Sequence, residues 1–351
     1  MGPNKKIRIK DIAEKAGISV GTVDRVIHNR GEVREEIRQK VLDIIKELNY
    51  KPNLLAKSLA SKKTIHIAVL IPENDEKNPY WEKPMEGILN ASEELKDFNT
   101  HIEIVLFNAD NELSYKAGTK KILASKPDGV LLIPVFKVAS IEFVKQLEAV
   151  NIPYVFFDVN IDNQNSLAFF GQDAWMSGYV SAKLMHVGMP ENSAILVLNI
   201  SNNKVIAHNI RKREQGFMKF FEEDCTKKIA LKSCEVDLLL PNELELYVSN
   251  FNNEHRGVKG IFVTGSRVYK VAQVIEKLGL NNMFVMGYDL IEQNVAYLNK
   301  GVINYLISQN PELQGYNGVV SLFRHLVYNI DSEKINYSPI NIIIKENLPY
   351  I

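Results

Sequence analysis

Along residues 9–48 the apolar positions recur at helical spacing. Ile9, Ile12, Ala13 and Ala16 share one face of a helix expected from about Lys10 to Ala16. Gly17 follows, where a turn needs positive φ. Ser19 stands at the N-cap of a second helix, which carries Val23 and Val26 inward at an i, i+3 spacing. From Arg34 to Leu48 the apolar residues Ile37, Val41, Ile44, Ile45 and Leu48 mark a third helix that closes a small core. Asn49-Tyr50-Lys51-Pro52 ends it, because proline cannot continue a helix and biases Lys51 toward extended backbone. Asn53–Ala60 has helical composition but only about two turns, too few to be stable alone, so it is expected to fold on a partner.

After Lys62-Lys63 the texture changes to short apolar runs alternating with amphipathic stretches. The runs are Ile65–Ile71, Ile102–Phe107, Gly129–Val135, Pro153–Val159, Ser166–Phe170, Ala194–Leu198, Gly260–Val263, Met283–Tyr288, Ile303–Ile307 and Ile340–Ile344. Most are continuous rather than alternating, as strands buried on both faces of a parallel sheet are. Glu82–Lys96, Asp173–Val187, Ala207–Glu223, Arg267–Leu278 and Pro311–Tyr328 are among the helices between them. Strand-helix alternation over this length means α/β with doubly wound sheets, and more than one sheet's worth, hence two lobes.

Composition narrows the function classes. The 351 residues suit two or three domains, and 46% hydrophobic with 24% charged residues excludes disorder and collagen-like repeats. No apolar run approaches the roughly 18 residues a membrane helix needs. Met1-Gly2-Pro3-Asn4-Lys5-Lys6 leads into no apolar signal region, so a cytoplasmic location and no membrane partner are expected. Cys225 and Cys234 form no CxxC, which disfavours a disulfide framework and a structural zinc site. The zero net charge hides an asymmetry: residues 1–63 hold 15 Lys and Arg against 8 Asp and Glu, leaving 27 against 34 in the rest. A basic head on an acidic body suggests a polyanion-binding module joined to something else.

Within the head, Ala13, Gly17 and Val23 supply a small residue at a helix crossing, a turn glycine and a core valine at helix-turn-helix spacing. The run IKDIAEKAGISVGTVDRVIHNRGEVREEIRQKVLDIIKELNYKPNLLAKSLA, about fifty residues, resembles the headpiece of the LacI/GalR family of bacterial regulators. The resemblance implies a homodimer on a palindromic double-stranded operator, with helix 2 of each headpiece in a major groove. It also implies paired hinge helices in the minor groove, built from Asn53, Leu55, Ala56 and Leu59, with Leu59 wedged into a base step. Val20 and Gly21 then face base edges, and Arg25 reads guanine or, alternatively, meets a phosphate or Asp24. Ser19 and Thr22 bond phosphates, and His28, Asn29 and Arg30 follow on backbone or bases. Asp24 departs from the family, where serine is usual; a carboxylate there accepts from cytosine N4 or holds Arg25 in place.

The body resembles, more weakly, the two-lobed periplasmic-binding-protein-like type I domain of the same family. The fold expected is therefore α/β: a three-helix, lambda-repressor-like headpiece at 1–50, a hinge at 51–63, and an effector-binding and dimerisation domain at 64–351. Lobe 1 is expected at about 64–161 and 292–331, and lobe 2 at about 162–291 and 332–351. The crossings fall near Asn160–Gln164, Leu290–Gln293 and Asp331–Ile335. The resemblance places the effector between the lobes, at Asp158, Arg213, Asp289 and Gln309. Asn78, Tyr80 and Trp81 follow the first strand and offer a ring to stack on; Phe170 and Asp173 are expected to open the second lobe and face the cleft. Asp289 could instead cap a helix, Arg213 could be a surface charge, and Trp81 could be a packing residue. Two acids, an arginine and a glutamine suit a sugar-like ligand, because vicinal hydroxyls both donate and accept. Thr264-Gly265-Ser266 stands where the family commonly has an Asn-Asp pair, and Ser266 could replace part of that contact.

No HExxH, GxSxG or Walker loop occurs, and no cofactor or metal is expected. Asp158 and Asp289 could in principle form a glycosidase pair, but the fold holds ligands rather than turning them over. The expectation is a sugar-responsive transcriptional repressor, not an enzyme. The alternatives are a regulator with a corepressor or vestigial pocket, and a solute-binding protein. The chain ends just past its last strand with no heptad repeat, so a dimer is expected rather than a coiled-coil tetramer.

Overall fold

The apolar stripe of the head folds into three helices, α1 (Ile9–Ala16), α2 (Val20–Ile27) and α3 (Glu35–Glu47). They are seen in a computed structural model that describes residues 9–27, 31–48, 64–75, 79–202, 207–223 and 226–351. Ile12, Ala13, Ala16, Val23, Val26, Val41 and Ile44 are buried against one another. Gly17 has φ +68° and open space where a Cβ would stand, so backbone angle rather than crowding selects glycine there. Ser19 Oγ accepts from the Thr22 N–H at 3.1 Å and caps α2.

The chain divides into two compact units, Met1–Lys63 and Thr64–Ile351. The second begins with β1 (Ile65–Pro72), α4 (Glu82–Leu95), β2 (Thr100–Phe107), α5 (Glu112–Ser125), β3 (Gly129–Leu132), α6 (Lys137–Ala149), β4 (Tyr154–Phe157) and β5 (Ala168–Gly171). It continues through α7 (Ala174–Gly188), β6 (Ser193–Ser201), α8 (His208–Glu223), β7 (Ile229–Asp237), α9 (Glu243–Glu254), β8 (Lys259–Val263), α10 (Val268–Leu278), β9 (Met283–Tyr288), α11 (Glu292–Asn299) and β10 (Tyr305–Ser308). It closes with α12 (Pro311–Tyr328), β11 (Ile335–Tyr337) and β12 (Asn341–Ile343). No helix among the described residues is long and apolar enough to cross a membrane.

Two six-stranded sheets result, ordered β11-β5-β4-β3-β1-β2 and β12-β10-β9-β8-β6-β7. Every pairing is parallel except β12 on β10. The continuous apolar runs have their reason in burial on both faces: Ile67, Val69 and Ile71 of β1 face one core while Ala68 and Leu70 face another. The first five strands of each sheet repeat one order, with a reversal between β1 and β3 and again between β6 and β8. Ligands of such sheets sit outside the carboxyl ends of the strands at that reversal.

The lobe boundaries differ from the sequence expectation. The stretch Asn160–Gln164 is only the loop between β4 and β5, since β5 pairs in parallel with β4 and stays in the first sheet. The first crossing comes at Gln172. The stretch Leu290–Gln293 leads into α11 of the second lobe, because β10 pairs with β9; the return crossing is at Gln309-Asn310. β11 pairs with β5, so Asp331–Ile335 still belongs to the first lobe and the last crossing is at Ser338–Ile340. A four-residue apolar strand looks the same whichever sheet it joins, and only the pairing decides. The side chain of Gln172 ties the three crossings together: its Nε2 donates to the carbonyls of Ser308 (3.2 Å) and Pro339 (2.9 Å).

Candidate functional site

In the head, the helix-turn-helix exposes its second helix. Ser19, Val20, Gly21 and Arg25 are exposed and Thr22 is half-buried, whereas Val23 and Val26 point into the core. Val20 is 48% exposed at the first turn of α2, an apolar side chain the head's own core does not use. The Ser19 hydroxyl lies 2.9 Å from that of Thr22. His28, Asn29, Arg30, Asn53, Leu55, Ala56 and Leu59 lie outside the described residues.

In the body, four polar side chains converge from both lobes. Asp158 follows β4 and Asp289 follows β9, the equivalent strand of the other sheet. Both adopt left-handed backbone, at φ +61° and +70°, an angle aspartate tolerates better than most residues. Each backbone N–H is held by the next strand, Asp158 by the Phe170 carbonyl and Asp289 by the Ile307 carbonyl, both at 2.9 Å. The turn out of each strand thereby aims a carboxyl into the cleft. Burial pushes both acids up, Asp289 to about 7; Arg213 pulls each back, and the charge of Asp158 raises Asp289 further.

Arg213 is 3% exposed, so it is not a surface charge. Its Nη1 donates to the Thr264 carbonyl at 2.9 Å and its Nη2 to Gln309 Oε1 at 3.0 Å. Gln309 Nε2 in turn donates to Asp289 Oδ1 at 3.0 Å. The guanidinium carbon sits 3.8 Å from the centroid of the Tyr288 ring. Arg213 Nε is buried with no partner. What holds this turn of α8 in place is close helix packing: a Cβ on Gly178 of α7 would lie 1.9 Å from the Arg213 carbonyl oxygen. Gly216 of α8 is equally tight against Trp175. Asp158 accepts from the Tyr80 hydroxyl at 2.6 Å and is approached by Asn209 Nδ2 at 3.5 Å. At the rim, Asn202 Nδ2 of the second lobe donates to Asp110 Oδ2 of the first at 2.7 Å.

Residues 8–53 match the lacI family of bacterial regulatory proteins, and residues 67–329 match the periplasmic binding protein domain. The chain belongs to the periplasmic binding protein domain family and carries a lacI-family head. It is 28% identical over 286 residues to the ribose operon repressor of Halalkalibacterium halodurans, a match covering 80% of each chain. Identity to the HTH-type transcriptional regulator RegA of Clostridium saccharobutylicum is 37% over 124 residues, which span 35% of each protein. A putative LacI transcriptional regulator from Bacteroides fragilis has the same fold at TM-score 0.76 and 29% identity, over 82% of this chain and 100% of that one. The relatives are transcriptional regulators, and this chain is a DNA-binding regulator whose body is a periplasmic binding protein domain.

The cleft of this periplasmic binding protein domain brings together Asp158, Arg213, Asp289, Gln309 and Tyr80, but not every residue expected there. Asp173 caps α7, its Oδ1 accepting from the Met176 N–H at 2.9 Å. Phe170 is a core residue of the first lobe, and Trp81 packs on that same core with its ring edge-on to Tyr80 at 4.8 Å. Ser266 contributes its carbonyl to Asn294, whereas buried Thr264 is the residue whose carbonyl meets Arg213. Asp289 does not cap α11, whose N-cap is Ile291. Asn78 lies outside the described residues. Asn209 and the Tyr288 ring were not foreseen; Asn209 stands four residues before Arg213 on α8, a spacing that puts both on one face.

Proposed function

We propose that this protein is a repressor that binds a palindromic operator as a homodimer, through α2 of each head, and yields to a neutral sugar-like effector in its cleft. The observation that carries the effector class is the buried ledger of charges: one arginine faces two acids. An anionic ligand such as a phosphosugar would add negative charge to a site whose acids already resist ionisation. Neutral hydroxyls fit: they accept from the unpartnered Arg213 Nε and donate to carboxylate and to Gln309. The Asp158–Asp289 pair serves binding, not hydrolysis. Closing the lobes on a ligand changes what the dimer presents to DNA. Exposed Leu89 on α4 and Leu313 on α12, two helices packed together, supply apolar surface for a second copy. The protein works in the cytoplasm, where its DNA is.

Calorimetric titration of the full chain tests the effector class, with D-ribose, D-arabinose, D-galactose and ribose 5-phosphate as probes. Binding of a neutral sugar, abolished in Arg213→Ala, is the expected result. Binding of the phosphosugar alone contradicts it. Sedimentation at micromolar concentration gives the dimer or refutes it.

A further inference from the structure

Asp158 is engaged twice by its own chain. Oδ1 accepts from the Tyr80 hydroxyl at 2.6 Å, and Oδ2 faces Asn209 Nδ2 of the opposite lobe at 3.5 Å. Tyr80 sits on the single turn Pro79–Trp81 before α4, and its ring is held edge-on by Trp81. The phenol is buried, so its proton has a fixed acceptor rather than water. Phenylalanine would fill the same ring volume; the hydroxyl therefore does something packing does not require. Across the cleft the situation is reversed, since Arg213 keeps a buried Nε with no acceptor. The cleft thus offers a donor at Arg213 and withholds an acceptor at Asp158.

We propose that the Tyr80 hydroxyl is an internal competitor for effector hydroxyls at Asp158, and so sets the affinity threshold of the cleft. This deepens, and rests on, the reading of the cleft as a site for neutral polyols. A ligand hydroxyl that takes the phenol's place on Asp158 Oδ1 only replaces one hydrogen bond by another. Without the phenol, the same acid is an unsatisfied buried acceptor that a ligand satisfies outright.

The test compares the full chain with Tyr80→Phe in two readouts. The first is calorimetry with D-ribose, D-arabinose and D-galactose. The best-bound sugar is expected to bind about tenfold tighter to the variant. The second needs no ligand: thermal unfolding at about pH 5 and pH 8. Asp158 is faced by Tyr80, Asn209, Arg213 and Asp289; burial raises its pKa, while the phenol and Arg213 lower it. Loss of the phenol leaves the acid protonated to higher pH in the folded state, so the variant loses more stability at pH 8 than at pH 5. Unchanged or weaker sugar binding by the variant overturns the proposal, as does an equal loss at both pH values. Binding by the variant alone supports it in its strongest form, a cleft silenced by its own tyrosine. If neither protein binds any sugar, the neutral-polyol reading falls, and the competitor role falls with it.

Discussion

In the head, the residues proposed to read bases are separate from those that hold the fold. Val20, Gly21 and Arg25 are exposed on α2, while Val23 and Val26 of the same helix are buried beneath them. In the cleft the side chains proposed to bind a ligand also hold the fold. Arg213 links Thr264 of one loop to Gln309 of a crossing, and Gln309 carries the chain of bonds on to Asp289. A surface that must slide along DNA and read it can leave its reading residues idle when unbound. A site that closes between lobes buries its polar groups, and buried polar groups must find partners even when empty. Substitutions in the head should therefore split cleanly into binding effects and stability effects, whereas substitutions in the cleft should show both.

The largest break in that comparison is Arg213→Ala. It removes the positive charge facing two buried acids, and about 3–5 kcal/mol of stability should go with the effector response. Denaturant unfolding and sugar titration on the same preparation check it; operator affinity without sugar should hold. A pH series on Asp289→Asn comes next. The folded pKa of Asp289 is raised from 3.8 to about 7, so the folded state holds its proton longer than the unfolded chain does. Stability from this group is greatest at low pH and falls as pH rises through that window, by up to about 1.4 kcal/mol per pH unit. Asparagine should flatten the slope.

Gly178→Ala should cost about 3 kcal/mol, because the added carbon meets the Arg213 carbonyl, and should weaken sugar binding by shifting α8. Chemical denaturation beside calorimetry would register both. Arg25→Ala should lose about 1–3 kcal/mol of operator discrimination with thermal stability and sugar affinity intact. Competition between operator and random duplex measures it. The smallest effect is Ser19→Ala, about 1 kcal/mol from the lost cap of α2, seen in the unfolding of the head.

Much of this architecture could be read from residues alone. Helical periodicity located α1 to α3 and their buried residues, and continuous apolar runs located most strands. Two strands escaped for physical reasons. β7 is a sheet edge carrying Lys232, Ser233 and Glu235, so it lacks the apolar run, and β11 is three residues long and largely exposed. The crossings were misplaced because membership of a sheet is a matter of pairing. In the cleft, Asp158, Arg213, Asp289 and Gln309 were legible through the family pattern. The role of the Thr264 carbonyl was not, since a backbone oxygen leaves no mark in sequence. Nor was the Tyr80–Asp158 bond, which joins residues 78 positions apart. Asp173 and Trp81 looked like cleft residues because they stand next to strand ends, yet capping and packing claim them.

One chain is proposed to couple a DNA-reading head to a sugar-filled cleft. This coupling is tested most directly by selecting a randomised duplex pool with the full-length protein at about 150 mM salt, where nonspecific phosphate contacts are weakened. The selection is repeated with D-ribose, D-arabinose and D-galactose. An enriched palindrome is expected whose occupancy one of these sugars lowers, with Arg213→Ala bound to the same palindrome and deaf to the sugar. A palindrome indifferent to every sugar, or no enrichment at all, would contradict it.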